Sequence, residues 1–206
     1  MEQPQIKIYI GQIEQWAKLC NAEERAESIC GRFLLLYGLL QQKEEYERFM
    51  ADTLTEAYDK LKQQFVYSSH GKPALLGSFA PHFNISHSGK YVVCALSEVP
   101  CGIDIQEKKR LKNQRIFEKV LSKKEQNEVR LSTDKKASFY QYWARKESFL
   151  KLTGQGIIVD LREIPKPVWY EDFVLGQDYA GCISADAKCE VIYEHILPSH
   201  LLKIFS

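Results

Sequence analysis

The sequence predicts a mixed α+β chain, and three observations carry that expectation. Three runs of strand character follow one another through short turns between His82 and Gln106. Helical periodicity occupies Ala22–Gln42 and the segment from Ser132 to Gly154. Further β-branched and aromatic runs lie between Phe173 and Ile196. With 206 residues the chain can form one large domain or two small ones.

In chain order, Ile29, Phe33, Leu36, Leu39 and Leu40 mark the buried face of a helix over Ala22–Gln42. Lys43–Gln64 is more polar and is also expected to be helical, and Ser68–Pro81, rich in Gly, Pro and Ser, reads as a loop. His82–Ser86 and Tyr91–Ser97 are strands joined by a hairpin connection containing Gly89. Glu98-Val-Pro100 then turns the chain into Gly102-Ile-Asp104-Ile-Gln106, completing an antiparallel meander. Period-two alternation puts Ile103 and Ile105 on one face and Asp104 and Gln106 on the other. Phe117–Leu131 is expected to be a short basic helix. The next helix has Ser132 or Thr133 as N-cap, Asp134 in its first turn and Gly154 as its stop. Gln155–Ile164 and Phe173–Ile196 read as strands, interrupted by Pro165 and Pro167, and no repeat or low-complexity segment is visible.

Composition narrows the function classes. Lys and Arg number 28 against 27 Asp and Glu, so there is no global signal for a polyanion partner. The longest apolar run, Phe33–Leu40, falls far short of the roughly 20 residues that span a bilayer, and Glu2 without an apolar stretch behind it does not read as a signal peptide. The six cysteines (Cys20, Cys30, Cys94, Cys101, Cys182 and Cys189) lack CxxC spacing, so reduced thiols are expected rather than disulfides or a zinc site. The expectation is a soluble cytoplasmic protein without a membrane segment.

The chemistry concentrates in two places. Trp143-Ala-Arg-Lys146-Glu147-Ser148-Phe-Leu-Lys151 lies on the helix, and Gly102-Ile-Asp104 lies on a strand some forty residues earlier. Two carboxylates suit a hard divalent cation, and lysines beside them suit phosphate oxygens. At helical spacing Phe139, Trp143, Lys146, Glu147, Leu150 and Lys151 share one broad face. A solvated Glu147–Lys151 pair, worth about 0.2–0.5 kcal/mol, is the competing structural reading. For Asp104 the competing reading is a half-exposed strand, although Asp is depleted in strands.

Together these segments resemble the paired motif of the 4′-phosphopantetheinyl transferases. Gly71-Lys72-Pro73 and Phe83-Asn84-Ile85-Ser86-His87-Ser88-Gly89 are similar to elements of the larger, single-chain class that activates surfactin synthetase. Four motifs occur in order from about Gly71 to Gly156, while the first seventy residues and those after Pro165 resemble the family weakly. The resemblance implies two similar α+β halves related by a pseudo-twofold, residues 1–100 with coenzyme A-binding elements and 101–206 with metal and catalytic motifs. It implies an enzyme, a holo-[carrier protein] synthase, that transfers 4′-phosphopantetheine from coenzyme A to a serine of an apo acyl or peptidyl carrier protein. Adenosine 3′,5′-bisphosphate is the second product, and the carrier would serve fatty acid, polyketide or nonribosomal peptide synthesis.

Residue by residue, the resemblance makes Asp104 and Glu147 ligands of Mg²⁺, with Mn²⁺ as the other ion considered. Glu147, or a water it polarises, is also the candidate base; Lys151 is the phosphate contact, and Lys146 either a second one or the residue that orients Glu147. Lys72, Pro73, Ser86, His87 and Arg32 fall to coenzyme A, with a snorkelling surface arginine as the competing reading of Arg32. The sequence departs from the family at Gln106, where many members carry a third acidic ligand; an amide oxygen could ligate weakly or hold a metal-bound water. Glu125 has both an acidic counterpart in the family and a local explanation, since Ser122-Lys-Lys-Glu125 is a capping box. From Glu107 to Glu125 eight basic residues face three acidic ones, which suits an acidic carrier docking near 108–124. A monomer with no nucleic-acid partner is expected. The alternative functions are a non-catalytic coenzyme A-binding relative and a basic nucleic-acid-binding module; the latter lacks RNP-type aromatics, a zinc pattern and overall basic charge.

Overall fold

Strand alternation near the N-terminus sets the layering. β1 (Gln5–Gln12) sends Ile6, Ile8 and Ile10 to one side and Tyr9 to the other, and all four are buried. The computed structural model describes residues 3–19, 24–42, 49–77, 80–110, 115–156, 160–165 and 167–206. The sequence reading assigns no strand to β1, although Ile6, Ile8 and Ile10 alternate at period two with Lys7, Tyr9 and Gly11. After β1 come the single turn α1 (Ile13–Trp16), then α2 (Ala26–Gln41) and α3 (Leu54–Gln63). A small hairpin follows, β2 (Phe65–Tyr67) with β3 (Pro73–Leu75).

The larger sheet has the order β4 (His82–Ser88), β5 (Tyr91–Ser97), β1, β9 (Glu190–His195), with β1 antiparallel to β5 and parallel to β9. The second sheet has β6 (Cys101–Glu107) at one edge, then β8 (Tyr179–Ala185) and β7 (Trp169–Leu175), all antiparallel. Ile6, Ile8, Ile10, Val93 and Ala95 of the first meet Ile103, Ile105, Ile183 and Ala185 of the second in one apolar layer. On the far side of the first sheet, α2 buries Ile29, Phe33, Leu36 and Leu39 against Tyr9, Cys94 and Leu96. Close approach is possible because Gly31 and Gly38 lie on that face: added methyls would stand 2.6 Å from Ile85 and 2.4 Å from Tyr9. On the far side of the second sheet lies α6 (Lys135–Thr153), with α4 (Arg115–Val120) and α5 (Lys123–Leu131) packed on it through Val120, Leu121, Val129 and Phe139. The order of layers is therefore helix, sheet, sheet, helix.

Several expectations need correction, the antiparallel meander first: β4 pairs with β5, but the turn after β5 carries β6 into the second sheet, where it pairs with β8. The first long helix begins at Ala26, and within Lys43–Gln64 the helix starts only at Leu54, residues 43–48 lying outside the described residues. The loop over Ser68–Pro81 contains β3. The single basic helix is two helices, broken at Leu121–Ser122 because Ser122 caps α5. Asp134, rather than Ser132 or Thr133, caps α6 by accepting from the Ala137 N–H, and Gly154 ends that helix at φ 70°. Where Gln155–Ile164 is described beyond Gly156, Leu161–Glu163 forms a 3₁₀ turn instead of a strand, and 157–159 lie outside the described residues. The division expected at 100 and 101 falls at the turn between β5 and β6, but β9 and α7 (Pro198–Leu202) return to the first sheet, where Ile196 and Leu201 join its core. Cys30, Cys94, Cys101, Cys182 and Cys189 are buried free thiols, while Cys20 lies outside the described residues. Among the described residues no helix is long and apolar enough to cross a membrane.

Candidate active site

Gly102 is where α6 meets the second sheet. A methyl group there would stand 2.1 Å from the Ser148 carbonyl oxygen and 2.2 Å from the Leu152 nitrogen. Only a glycine lets the helix backbone rest directly on β6. The buried Ser148 and Ser184 hydroxyls, 2.7 Å apart, fasten the next strand to the same helix turn. Held this close, α6 presents Glu147 and Lys151 to Asp104 at the middle of β6.

The centre of the site is one carboxylate with three partners. Asp104 is buried, and its Oδ1 accepts from Lys151 Nζ at 2.7 Å and from Ser86 Oγ at 2.9 Å. Its Oδ2 accepts from Gln106 Nε2 at 2.8 Å. The Glu147 carboxylate, half-buried on α6, makes no hydrogen bond or ion pair among the described residues. Burial and then the neighbouring Asp104 charge push its carboxyl above the ordinary value, while Lys151 pulls it back. Two carboxylates therefore share one cationic side chain, and the deficit is one positive charge. Oxygen donors with an unmet demand for a cation fit a hard divalent ion, which completes its shell with water and substrate oxygens. Gln106 faces the same side as Asp104, as alternation requires, and its Nε2 donates to Asp104 while the amide oxygen keeps its acceptor capacity. No cluster of three His, Cys, Asp or Glu suited to a metal occurs among the described residues.

A cleft of about 310 Å³ opens beside this centre, walled by His70, Gly71, Lys72, Pro73, Asn84 and Ile85 on one side and Glu147, Leu150, Lys151 and Gly154 on the other. Lys72 donates to the carbonyls of Leu152 at 2.9 Å and Cys101 at 3.3 Å, so its ammonium caps the end of α6 and retains one N–H of three. Burial lowers its pKa.

Four expected site residues stand elsewhere. Lys146 turns away from Glu147, because adjacent helical residues point about 100° apart. It is buried against Glu125 at 2.9 Å and the Leu161 carbonyl at 2.9 Å. Glu125 completes the capping box with Ser122 as expected and ties α5 to α6 through Lys146. Arg32 pairs with Glu24 and donates to the Tyr58 hydroxyl at 3.1 Å, with its guanidinium 5.8 Å from the Phe65 ring centroid. It does not line the cleft beside Asp104. His87 is exposed, on the opposite face of β4 from Ser86.

Sequence reasoning missed the contact between β4 and β6. Each is an edge strand, and the N–H groups of Ile103, Ile105 and Glu107 that β8 does not use donate to Asn84 Oδ1 at 2.9 Å, Ser86 Oγ at 3.3 Å and Ser88 Oγ at 2.9 Å. Three side chains at period two thus complete the open edge of the strand that carries Asp104. The signal was Asn84-x-Ser86-x-Ser88, short polar residues on one face of a strand.

Asp104, Glu147 and Lys151 thus stand together beside the Lys72–Pro73 cleft. The family model of the 4′-phosphopantetheinyl transferase superfamily matches residues 100–186, which include Gly102, Asp104, Glu147 and Lys151. The chain is 31% identical over 158 residues to the 4′-phosphopantetheinyl transferase Sfp of Bacillus subtilis (strain 168), covering 72% of this chain and 66% of that one. A further 4′-phosphopantetheinyl transferase of Bacillus subtilis is 30% identical over 160 residues, covering 73% of this chain and 67% of that one. The L-aminoadipate-semialdehyde dehydrogenase-phosphopantetheinyl transferase of Mus musculus is 29% identical over 204 residues, covering 91% of this chain and 60% of that one. The chain belongs to the 4′-phosphopantetheinyl transferase family and is Sfp-like. It spans just under two thirds of the length of Sfp, at 66%.

Proposed function

We propose that this protein transfers 4′-phosphopantetheine from coenzyme A to a serine hydroxyl of an apo acyl or peptidyl carrier protein, releasing adenosine 3′,5′-bisphosphate. The observation that carries the reading is the convergence of Asp104, Glu147 and Lys151 beside the Lys72–Pro73 cleft, in a chain of this family. Asp104 and Glu147 would hold the divalent ion, Mg²⁺ or Mn²⁺, which when bound neutralises charge on the pyrophosphate. Lys151 Nζ then serves the transferred phosphate, where a charge-assisted contact stabilises developing charge. Glu147, directly or through a water it polarises, accepts the serine proton. The remaining N–H of Lys72 and the Pro73 ring line the path for coenzyme A.

Carrier docking near 108–124 is supported by a groove of about 340 Å³ on α4 and α5. It is lined by Arg115, Arg130 and Lys135 with Phe117 and Val129, and by Glu118 and Gln126, so three cations face one carboxylate, a net positive lining suited to an acidic helix. Two halves related by a pseudo-twofold are part of the same reading, and the four-layer order with a helix outside each sheet supports it. The test is incubation of apo acyl and apo peptidyl carrier proteins with coenzyme A and Mg²⁺, followed by intact mass. A mass gain of one phosphopantetheine, absent for Asp104→Ala and without metal, is expected. No gain on either carrier type overturns the reading.

A further inference from the structure

A serine hydroxyl has one proton and two lone pairs, and the bonds of Ser86 use all three. Its proton goes to Asp104 Oδ1 at 2.9 Å. It accepts from Lys151 Nζ at 2.7 Å and from the Ile105 N–H at 3.3 Å. The side chain is 4% exposed. A hydroxyl so committed has nothing left for a phosphate of coenzyme A, the role that the sequence motif suggests for it. What it touches instead is the candidate metal ligand, the candidate phosphate lysine and the backbone of the strand between them. It reaches all three from β4, an edge strand of the other sheet.

We propose that Ser86 is a positioning residue: its hydroxyl, supplied from the first sheet, sets the orientation of Asp104 and Lys151 on the second, so that cation binding at Asp104 depends on the docking of the two edge strands. The proposal rests on the transferase reading for its kinetic consequence but not for its structural one. Bonding partners behind metal ligands typically carry about 10–100-fold in metal affinity or activity. Removing this one frees a buried carboxylate to rotate and leaves the Ile105 N–H without its acceptor.

Ser88 provides the internal control. It makes the same kind of rung to the Glu107 N–H at 2.9 Å, one repeat along the strand, with no contact to Asp104. Ser86→Ala, Ser86→Thr and Ser88→Ala are compared by calorimetric Mg²⁺ titration without coenzyme A, by thermal melts, and by the Mg²⁺ and coenzyme A dependence of transfer. Ser86→Ala is expected to weaken Mg²⁺ binding about 10-fold or more with little change in the KM for coenzyme A. Ser86→Thr, which keeps the hydroxyl, restores most of it, and Ser88→Ala lowers the melting temperature without changing Mg²⁺ affinity. A raised coenzyme A KM at unchanged Mg²⁺ affinity for Ser86→Ala would make Ser86 a substrate contact and overturn the proposal. Equal Mg²⁺ affinity across all variants, with only the melts altered, would reduce it to a structural rung and overturn it as well. Failure of wild type to modify any carrier sinks the transferase reading alone, since calorimetry still decides the role of Ser86.

Discussion

Replacing Gly102 by alanine tests whether the contact between α6 and β6 builds the site. The added methyl would sit 2.1 Å from the Ser148 carbonyl oxygen, whereas ordinary contact begins at 3.4 Å. Both obstructing groups are backbone, so no rotamer change relieves the clash. The helix must retreat by about 1.3 Å, the difference between those two distances. Overpacking of this kind costs about 1–3 kcal/mol, which for a chain of this size lowers the melting temperature by about 2–12 °C. The functional loss should exceed the loss of stability. Lys151 is 2.7 Å from Asp104, and a retreat of that size carries it to the limit of an ion pair. A misplacement near 1 Å can cost about 100-fold in rate. Calorimetric unfolding and the initial rate of carrier modification, measured well below the melting temperature, separate the two effects. A Gly102→Ala protein that melts and turns over like wild type would refute the close-approach argument outright.

Glu147→Gln should melt no lower than wild type without metal. Because the folded protein binds the Glu147 proton more tightly than the unfolded chain, wild type loses stability as pH rises through a value above the ordinary 4.5. The glutamine removes that slope, seen in melts across an acid-to-neutral pH series, and abolishes the Mg²⁺-induced rise in melting temperature; a retained Mg²⁺ shift would end the ligand assignment. Lys146→Met should destabilise by about 1–3 kcal/mol, less than the full cost of breaking a buried pair because Glu125 keeps some solvent contact. Its KM for coenzyme A should stay near wild type, and a large rise would return Lys146 to the phosphate. Gln106→Glu should lower the Mg²⁺ concentration for half-maximal rate while lowering the metal-free melting temperature, since a second anion then faces Asp104; an unchanged Mg²⁺ requirement would show that the side chain at this position does not reach the ion.

How much of this was legible in the sequence depends on the range of the forces involved. The β4–β5 hairpin, the cap at Ser122 with Glu125, the stop at Gly154 and the shared face of Asp104 and Gln106 follow from local rules: turn chemistry, period two, and hydrogen bonds within a few residues. Their physics closes locally, so the pattern of residue types determines them. The expected third strand of a meander does not follow, because β6 leaves β5 and pairs with β8 in the second sheet. β1 was legible by period two and was missed: Ile6, Ile8 and Ile10 alternate with Lys7, Tyr9 and Gly11. Lys146 and Glu147 are neighbours in sequence yet serve different ends, one holding α5 and the other facing Asp104. Spacing alone placed both on one broad face, and only the packed neighbours decide which side of that face each reaches. Motif position makes Arg32 and Ser86 candidates for coenzyme A, but it does not give the partners they hold in the fold, Glu24 and Tyr58 for the one and Asp104 and Lys151 for the other. The sequence by itself determined which chemistry is present, two carboxylates and their lysines on a strand and a helix. The tertiary structure decided which groups meet, because hydrogen-bond capacity and contact at Gly102 are settled only when two edge strands and a helix are brought within a few ångströms of one another.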